Sequence, residues 1–280
     1  MKVAVITDST SDLQPERAAA LGIEIVPLYV NFQGRVLKDG LEITTSDIFD
    51  GVNRGAAMPS TSQPTPADFQ AAYERALASA DHVLSLHISA KLSGTLQSAQ
   101  MAAQSFAGRV TPYDTTLASG GLAMMCDRAV TLLRGGASAS EVIAALEKVR
   151  PKADIRFTVA TLDFLRKNGR IGGAQALLGG LLNIKPLLRL ADGRVEAAGR
   201  ARGAQKALAD TVEMLRTYVA SNGPTRASYL YADNPESVEG LRRAGKDLGI
   251  TEFEVHRIGA VIASHVGPGT YGVCLEPVNA

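Results

Sequence analysis

Val3-Ala4-Val5-Ile6-Thr7-Asp8-Ser9-Thr10 runs an unbroken apolar segment straight into a hydroxyl-rich loop. A strand buried on both faces reads this way, because neither side of it meets water. A helix is expected at once: Asp12 can cap it, Ala18 to Leu21 carry it, and Gly22 ends it before a second strand at Ile23 to Val30. The alternation continues with a capped helix start at Thr65-Pro66 and Asp68, a strand at Val83 to Ile88, a helix over Thr95 to Phe106 and a short strand at Val110 to Tyr113. Leu117 to Leu133 is helical in pattern. Ser138 and Glu141 have capping-box spacing, and the helix they open stops at Pro151. Residues 1–152 are thus predicted to form a doubly wound, mainly parallel α/β domain.

The pattern changes beyond that point. A strand at Ile155 to Val159 precedes a glycine-punctuated stretch from Asn168 to Gly180 that allows only short helices. Ile184 to Leu190 and Arg194 to Ala198 flank Asp192-Gly193, a strong hairpin signal, so antiparallel pairing enters here. A helix over Gln205 to Val219, strands at Ala227 to Tyr231 and Phe253 to Ile258 with a helix between them, and a strand at Tyr271 to Leu275 complete the prediction. Residues 153–280 are expected to be an α+β domain with a mixed or antiparallel sheet, and a cleft between the two domains is the natural place for a ligand.

Composition narrows the function classes. With 29 basic and 28 acidic residues and no long run of one sign, the chain lacks a nucleic-acid footprint. Cys126 and Cys274 are far apart and form no CxxC or metal-spaced cluster, which suits a reducing compartment. The apolar stretch after Met1-Lys2 is too short for a signal peptide, and no run has the length of a membrane span, so a cytoplasmic protein without stable membrane insertion is expected.

Gly267-Pro268-Gly269-Thr270-Tyr271-Gly272 spells G-x-G-x-x-G, yet no helix can follow it, and a tight backbone turn is the better reading. Lys91-Leu92-Ser93-Gly94-Thr95 occupies the strand-to-helix turn where a hydrolase presents its serine, but lacks the flanking glycines. What remains is a hydroxyl beside a helix N-terminus, a seat for a carboxylate or phosphate. Met58 to Pro66 forms a second hydroxyl-rich loop, stiffened by prolines. The segment from Thr161 to Gly173 sets cations beside glycines, and Leu177 to Pro186 adds a dense leucine set. His82, His87, His256 and His265 show no metal-ligand spacing, so no metal site is expected.

Taken together, Val5 to Leu13, Thr61-Ser62-Gln63-Pro64, Ile88-Ser89 with Leu92 to Thr95, Gly169-Arg170-Ile171-Gly172 with Asn183 to Pro186, and His265 to Gly269 resemble, in order, the DegV family of bacterial fatty-acid-binding proteins. The resemblance spans the chain. It implies that one long-chain fatty acid is held with its carboxylate on the hydroxyls of Thr61 and Ser93, with Gly94 close by and Arg170 and His265 joining the network. It also implies that Arg202 meets a partner or phosphate, that a separate fatty acid kinase phosphorylates the bound acid, and that the chain carries no catalytic residue or cofactor of its own. Gln14, Leu96 and Val266 depart from the family pattern without touching a head-group ligand. The alternative from the residues themselves is a serine-dependent hydrolase or acyl transferase using Ser93 and His265.

Overall fold

The computed structural model describes residues 1–179 and 184–279. Gly180, Leu181, Leu182 and Asn183, named above, lie outside the described residues. In chain order the strands are β1 Val3–Asp8, β2 Ile23–Val26, β3 Tyr29–Phe32, β4 Arg35–Lys38, β5 Ser60–Ser62, β6 His82–His87, β7 Val110–Asp114, β8 Asp154–Thr158, β9 Ile184–Ala191, β10 Arg194–Arg202, β11 Thr225–Tyr231, β12 Thr251–Arg257 and β13 Tyr271–Pro277.

Strands β2-β1-β6-β7 form a wholly parallel sheet, and its double burial follows from side-chain alternation. Val5 and Leu84 point into one core, whereas Ile6 and Val83 point into another built on Phe69, Tyr73 and Phe106. The helices Pro66–Leu77 and Thr95–Ala103 cover the second face, and Gly120–Arg134 packs on the first. The second sheet has the order β10-β9-β8-β13-β11-β12, antiparallel throughout except for the β11–β12 pair. Leu230 and Cys274 on one of its faces join the same core as Val5 and Leu84, while Tyr229 and Val273 on the other face meet helices Ala204–Asn222 and Glu239–Asp247. The fold is therefore α/β with a parallel and a mixed sheet packed across a shared apolar layer.

Several expectations change at the level of elements. The strand expected over Ile23 to Val30 is two strands in different sheets, broken where Pro27 has no N–H to give to a ladder. The amide of Leu28 instead bonds Ser9 Oγ at 3.0 Å. β3 then pairs antiparallel with β4 and β5, a three-stranded sheet that the sequence reading did not anticipate. Asp12 does not cap the following helix, which spans Pro15–Leu21 with Gln14 at its N-cap position. It sits buried in the left-handed region at φ 55° and points its carboxylate elsewhere. The helix Ala260–Val266, which carries His265, was likewise not anticipated, and Gly267 terminates it at φ 75°, so the G-x-G-x-x-G string is a turn. The Asp192-Gly193 hairpin has both residues at positive φ, 46° and 74°, as its turn type requires. Capping boxes form at both Thr65–Asp68 and Ser138–Glu141.

Candidate functional site

Between the two larger sheets lies a cavity of about 310 Å³, at the lower end of the range for small-molecule pockets. Its long walls are apolar: Ile155 and Phe157 from β8, Leu190 from β9 and Val195 from β10 on one side, Leu28 and Ile88 on the other. One end is polar, and there the folding brings together Thr61 from β5, Ser93, Arg170 and His265. Each arrives from a different segment, and each is held by its own local structure.

Thr61 is fixed by register, paired with Val30 across the β3–β5 ladder, and its Oγ1 lies 2.8 Å from His265 Nε2. Ser93 precedes the helix Thr95–Ala103; its Oγ lies 2.8 Å from Thr95 Oγ1 and accepts from the Thr95 amide at 3.3 Å. Gly94 between them lets the Gln63 side chain lie close, since a Cβ there would sit 2.3 Å from Gln63 Oε1 and push that flexible side chain aside. The Arg170 guanidinium is tethered through Nε to the carbonyl of Leu92 at 3.0 Å and through Nη1 to that of Asn168 at 2.7 Å. Cation and hydroxyl loop are thus tied to each other before any ligand arrives. Burial, aided by the nearby Arg170 charge, lowers the His265 pKa to about 4, so the ring is neutral at pH 7. Its Nδ1 is buried and has no hydrogen-bond partner among the described residues.

Chemically, this end offers two hydroxyls, a guanidinium and a neutral imidazole at the mouth of an apolar channel. It is suited to an anionic head with an apolar tail. The Ser93–His265 pair of the hydrolase alternative is not formed: the imidazole's partner is Thr61 and the Ser93 hydroxyl's partner is Thr95. The serine–histidine–aspartate chain that does form, Ser85 Oγ to His87 Nε2 at 2.7 Å and His87 Nδ1 to Asp8 Oδ2 at 3.0 Å, is wholly buried and does not line the cavity. Arg202 stands exposed at the end of β10 and does not line the cavity. Among the described residues no cluster of three or more His, Cys, Asp or Glu could hold a metal ion, and no helix is long and apolar enough to cross a membrane.

Ser119 is a cavity residue that the sequence reading missed. It precedes the helix Gly120–Arg134 with φ 51° and ψ −138°, a conformation that a non-glycine residue rarely keeps without support. The support is a buried network: Ser119 Oγ donates to Asp12 Oδ2 at 2.5 Å and lies 3.1 Å from His256 Nε2, whose Nδ1 lies 3.1 Å from Ser228 Oγ. Desolvation raises the Asp12 pKa well above the carboxylate range and lowers that of His256 to about 4. Asp12 also accepts from the Gly259 amide at 2.9 Å, and Asp39 accepts from the Ala260 amide at 2.9 Å. These two carboxylates hold the first turn of the helix that carries His265. A Ser-Gly-Gly run before an apolar helical stretch was the only signal of this in the sequence.

Two sheets, one parallel and one mixed, that close on a largely apolar cavity with a polar mouth define the architectural class. The chain belongs to the DegV family: the family model described as "Uncharacterised protein, DegV family" matches residues 2–278. A DegV domain-containing protein of Deinococcus radiodurans is 53% identical over 281 residues, covering 100% of both chains. Among solved structures, a DegV family protein from Thermus thermophilus described for its fatty acid binding is 51% identical, with a TM-score of 0.96 over 99% of this chain and 100% of that one. A DegV lipid-binding protein from Thermotoga maritima is 31% identical, with a TM-score of 0.87 over 100% and 99%.

Proposed function

We propose that this protein binds one long-chain fatty acid between its halves, residues 1–152 and 153–280, and presents the carboxylate to a separate fatty acid kinase. The observation that carries the reading is the cavity: apolar along most of its walls, with Thr61, Ser93, Arg170 and His265 converging at one polar end. The Thr61 and Ser93 hydroxyls donate to the carboxylate, with Gly94 allowing close approach and Arg170 offsetting the charge. Tail burial dominates affinity, since at roughly 0.8 kcal/mol per CH₂ about 15 carbons contribute about 12 kcal/mol before association costs. The head group supplies orientation, because an anion taken from water is costly unless it is well hydrogen-bonded. The chain's own contribution is binding and orientation, with no catalytic residue. Arg202, outside the cavity, contacts the kinase or the phosphoryl group.

Solvent extraction of native-purified protein followed by mass spectrometry tests the binding. About one fatty acid per chain is expected, and a lipid-free extract that also fails to rebind added oleate or palmitate rejects it. The finer assignment is tested with Ser93→Ala, which should retain most of its bound lipid while its phosphorylation by a fatty acid kinase drops about tenfold or more. Unchanged phosphorylation would remove Ser93 from the seat.

A further inference from the structure

Strands β8 and β9 have two working faces. Ile155, Phe157 and Leu190 line the lipid cavity, so Arg156 and Arg189, at the alternate positions, point to the opposite side of the sheet. There they stand directly opposite each other across the antiparallel ladder, an arrangement that like charges disfavour. They form part of a second concavity, of about 820 Å³, open to solvent and lined also by Lys91, Arg150 and Lys152. The acidic residues in its wall are Glu147, Asp154 and Asp192. Arg150 is paired with Glu147 and Arg156 with Asp154, whereas Lys91, Lys152 and Arg189 make no ion pair among the described residues. Glu196 faces Arg189 across the β9–β10 ladder without closing an ion pair with it.

We propose that this groove binds a small polyanion carrying phosphoryl groups, with Arg189 and Lys152 as its principal contacts. Five cations against three carboxylates around one concavity, with Lys91, Lys152 and Arg189 outside any ion pair among the described residues, leave an excess charge that a single carboxylate would not neutralise. A guanidinium fork matches phosphoryl oxygens in geometry, and a concavity of this volume lies within the range of small-molecule sites. Because the same strands form the wall of the lipid cavity, an anion bound on the back of β8 and β9 bears directly on the segment that encloses the acyl tail.

Isothermal titration of the full chain with pyrophosphate at physiological ionic strength tests the assignment. One saturable site is expected, weakened about tenfold or more in Arg189→Gln and in Lys152→Gln, and unchanged in Arg202→Ala and Arg170→Ala. Both groove side chains are exposed, so the variants should fold, and an unaltered thermal midpoint and lipid content confirm that they have. Absence of a saturable site overturns the proposal. So does binding that survives both groove substitutions, or that is lost instead with Arg170 or Arg202, which would place the anion at the cavity mouth or the β10 edge.

Discussion

His256 and Asp39 are both buried, and burial moves their proton affinities in opposite directions: His256 falls from 6.5 to about 4, and Asp39 rises from 3.8 to about 6. For His256 the unfolded chain binds the extra proton between pH 4 and 6.5, so its contribution is complete above that window and is lost as pH falls through it. For Asp39 the folded chain binds the extra proton, so its contribution is complete at acid pH and is lost as pH rises toward 6. The two slopes partly cancel. Replacing His256 with Gln should remove an acid-side penalty of roughly 3 kcal/mol, so the stability lead of the wild type over this variant is expected to shrink as pH falls from 6.5 to 4. Thermal melts of both proteins across that range check it; a difference independent of pH would mean that His256 does not stay neutral in the fold. Ser89 makes a different kind of contribution. Its Oγ donates to the Gly193 carbonyl at 2.8 Å, and Ser93 N donates to the Ser89 carbonyl at 3.1 Å. Ser89→Ala should cost about 1 kcal/mol by urea titration and loosen the hydroxyl loop against the β9–β10 turn.

Among the elements, those with local signals were legible and those held by distant partners were not. Thr65, Asp68, Ser138 and Glu141 announce their helices through chemistry confined to one turn, and Asp192-Gly193 announces its hairpin for the same reason. Ser138→Ala is expected to lose about 1 kcal/mol, read as a lower urea midpoint with an unchanged slope. By contrast, the helix Ala260–Val266 is only seven residues long and has no side-chain cap of its own. Its first amides are held by Asp12 and Asp39, more than two hundred residues earlier, and the spacing of apolar residues could not reveal that. The same applies to β3 and β5: a short, polar Ser60–Ser62 segment becomes a strand only because Tyr29–Phe32 is there to pair with it. Motifs pointed to the hydroxyls, the arginine and the histidine at the cavity mouth through resemblance, whereas Ser119 belongs to no motif and emerges only from the tertiary network around it.

At the level of the molecule, the two halves are joined by charge as well as by the shared apolar layer. Arg226 on β11 donates to Asp127 on the helix Gly120–Arg134 at 2.6 Å and to Glu276 on β13 at 2.7 Å, and Arg128 also donates to Glu276 at 2.8 Å. Glu276 is fully buried, so Arg226→Met should leave a poorly compensated carboxylate and cost about 3–5 kcal/mol in urea unfolding. A loss below about 1 kcal/mol would show that Arg128 alone suffices. β13 follows every other strand in sequence yet lies inside the six-stranded sheet, paired with β8 on one side and β11 on the other. While the protein is being made, β8–β10 and β11–β12 must therefore wait as separate ribbons with bare edges until the strand that joins them leaves the ribosome. The apolar cavity is built against that sheet, so it closes only after synthesis, and chains interrupted shortly before Tyr271 should emerge without it and prone to associate through those edges.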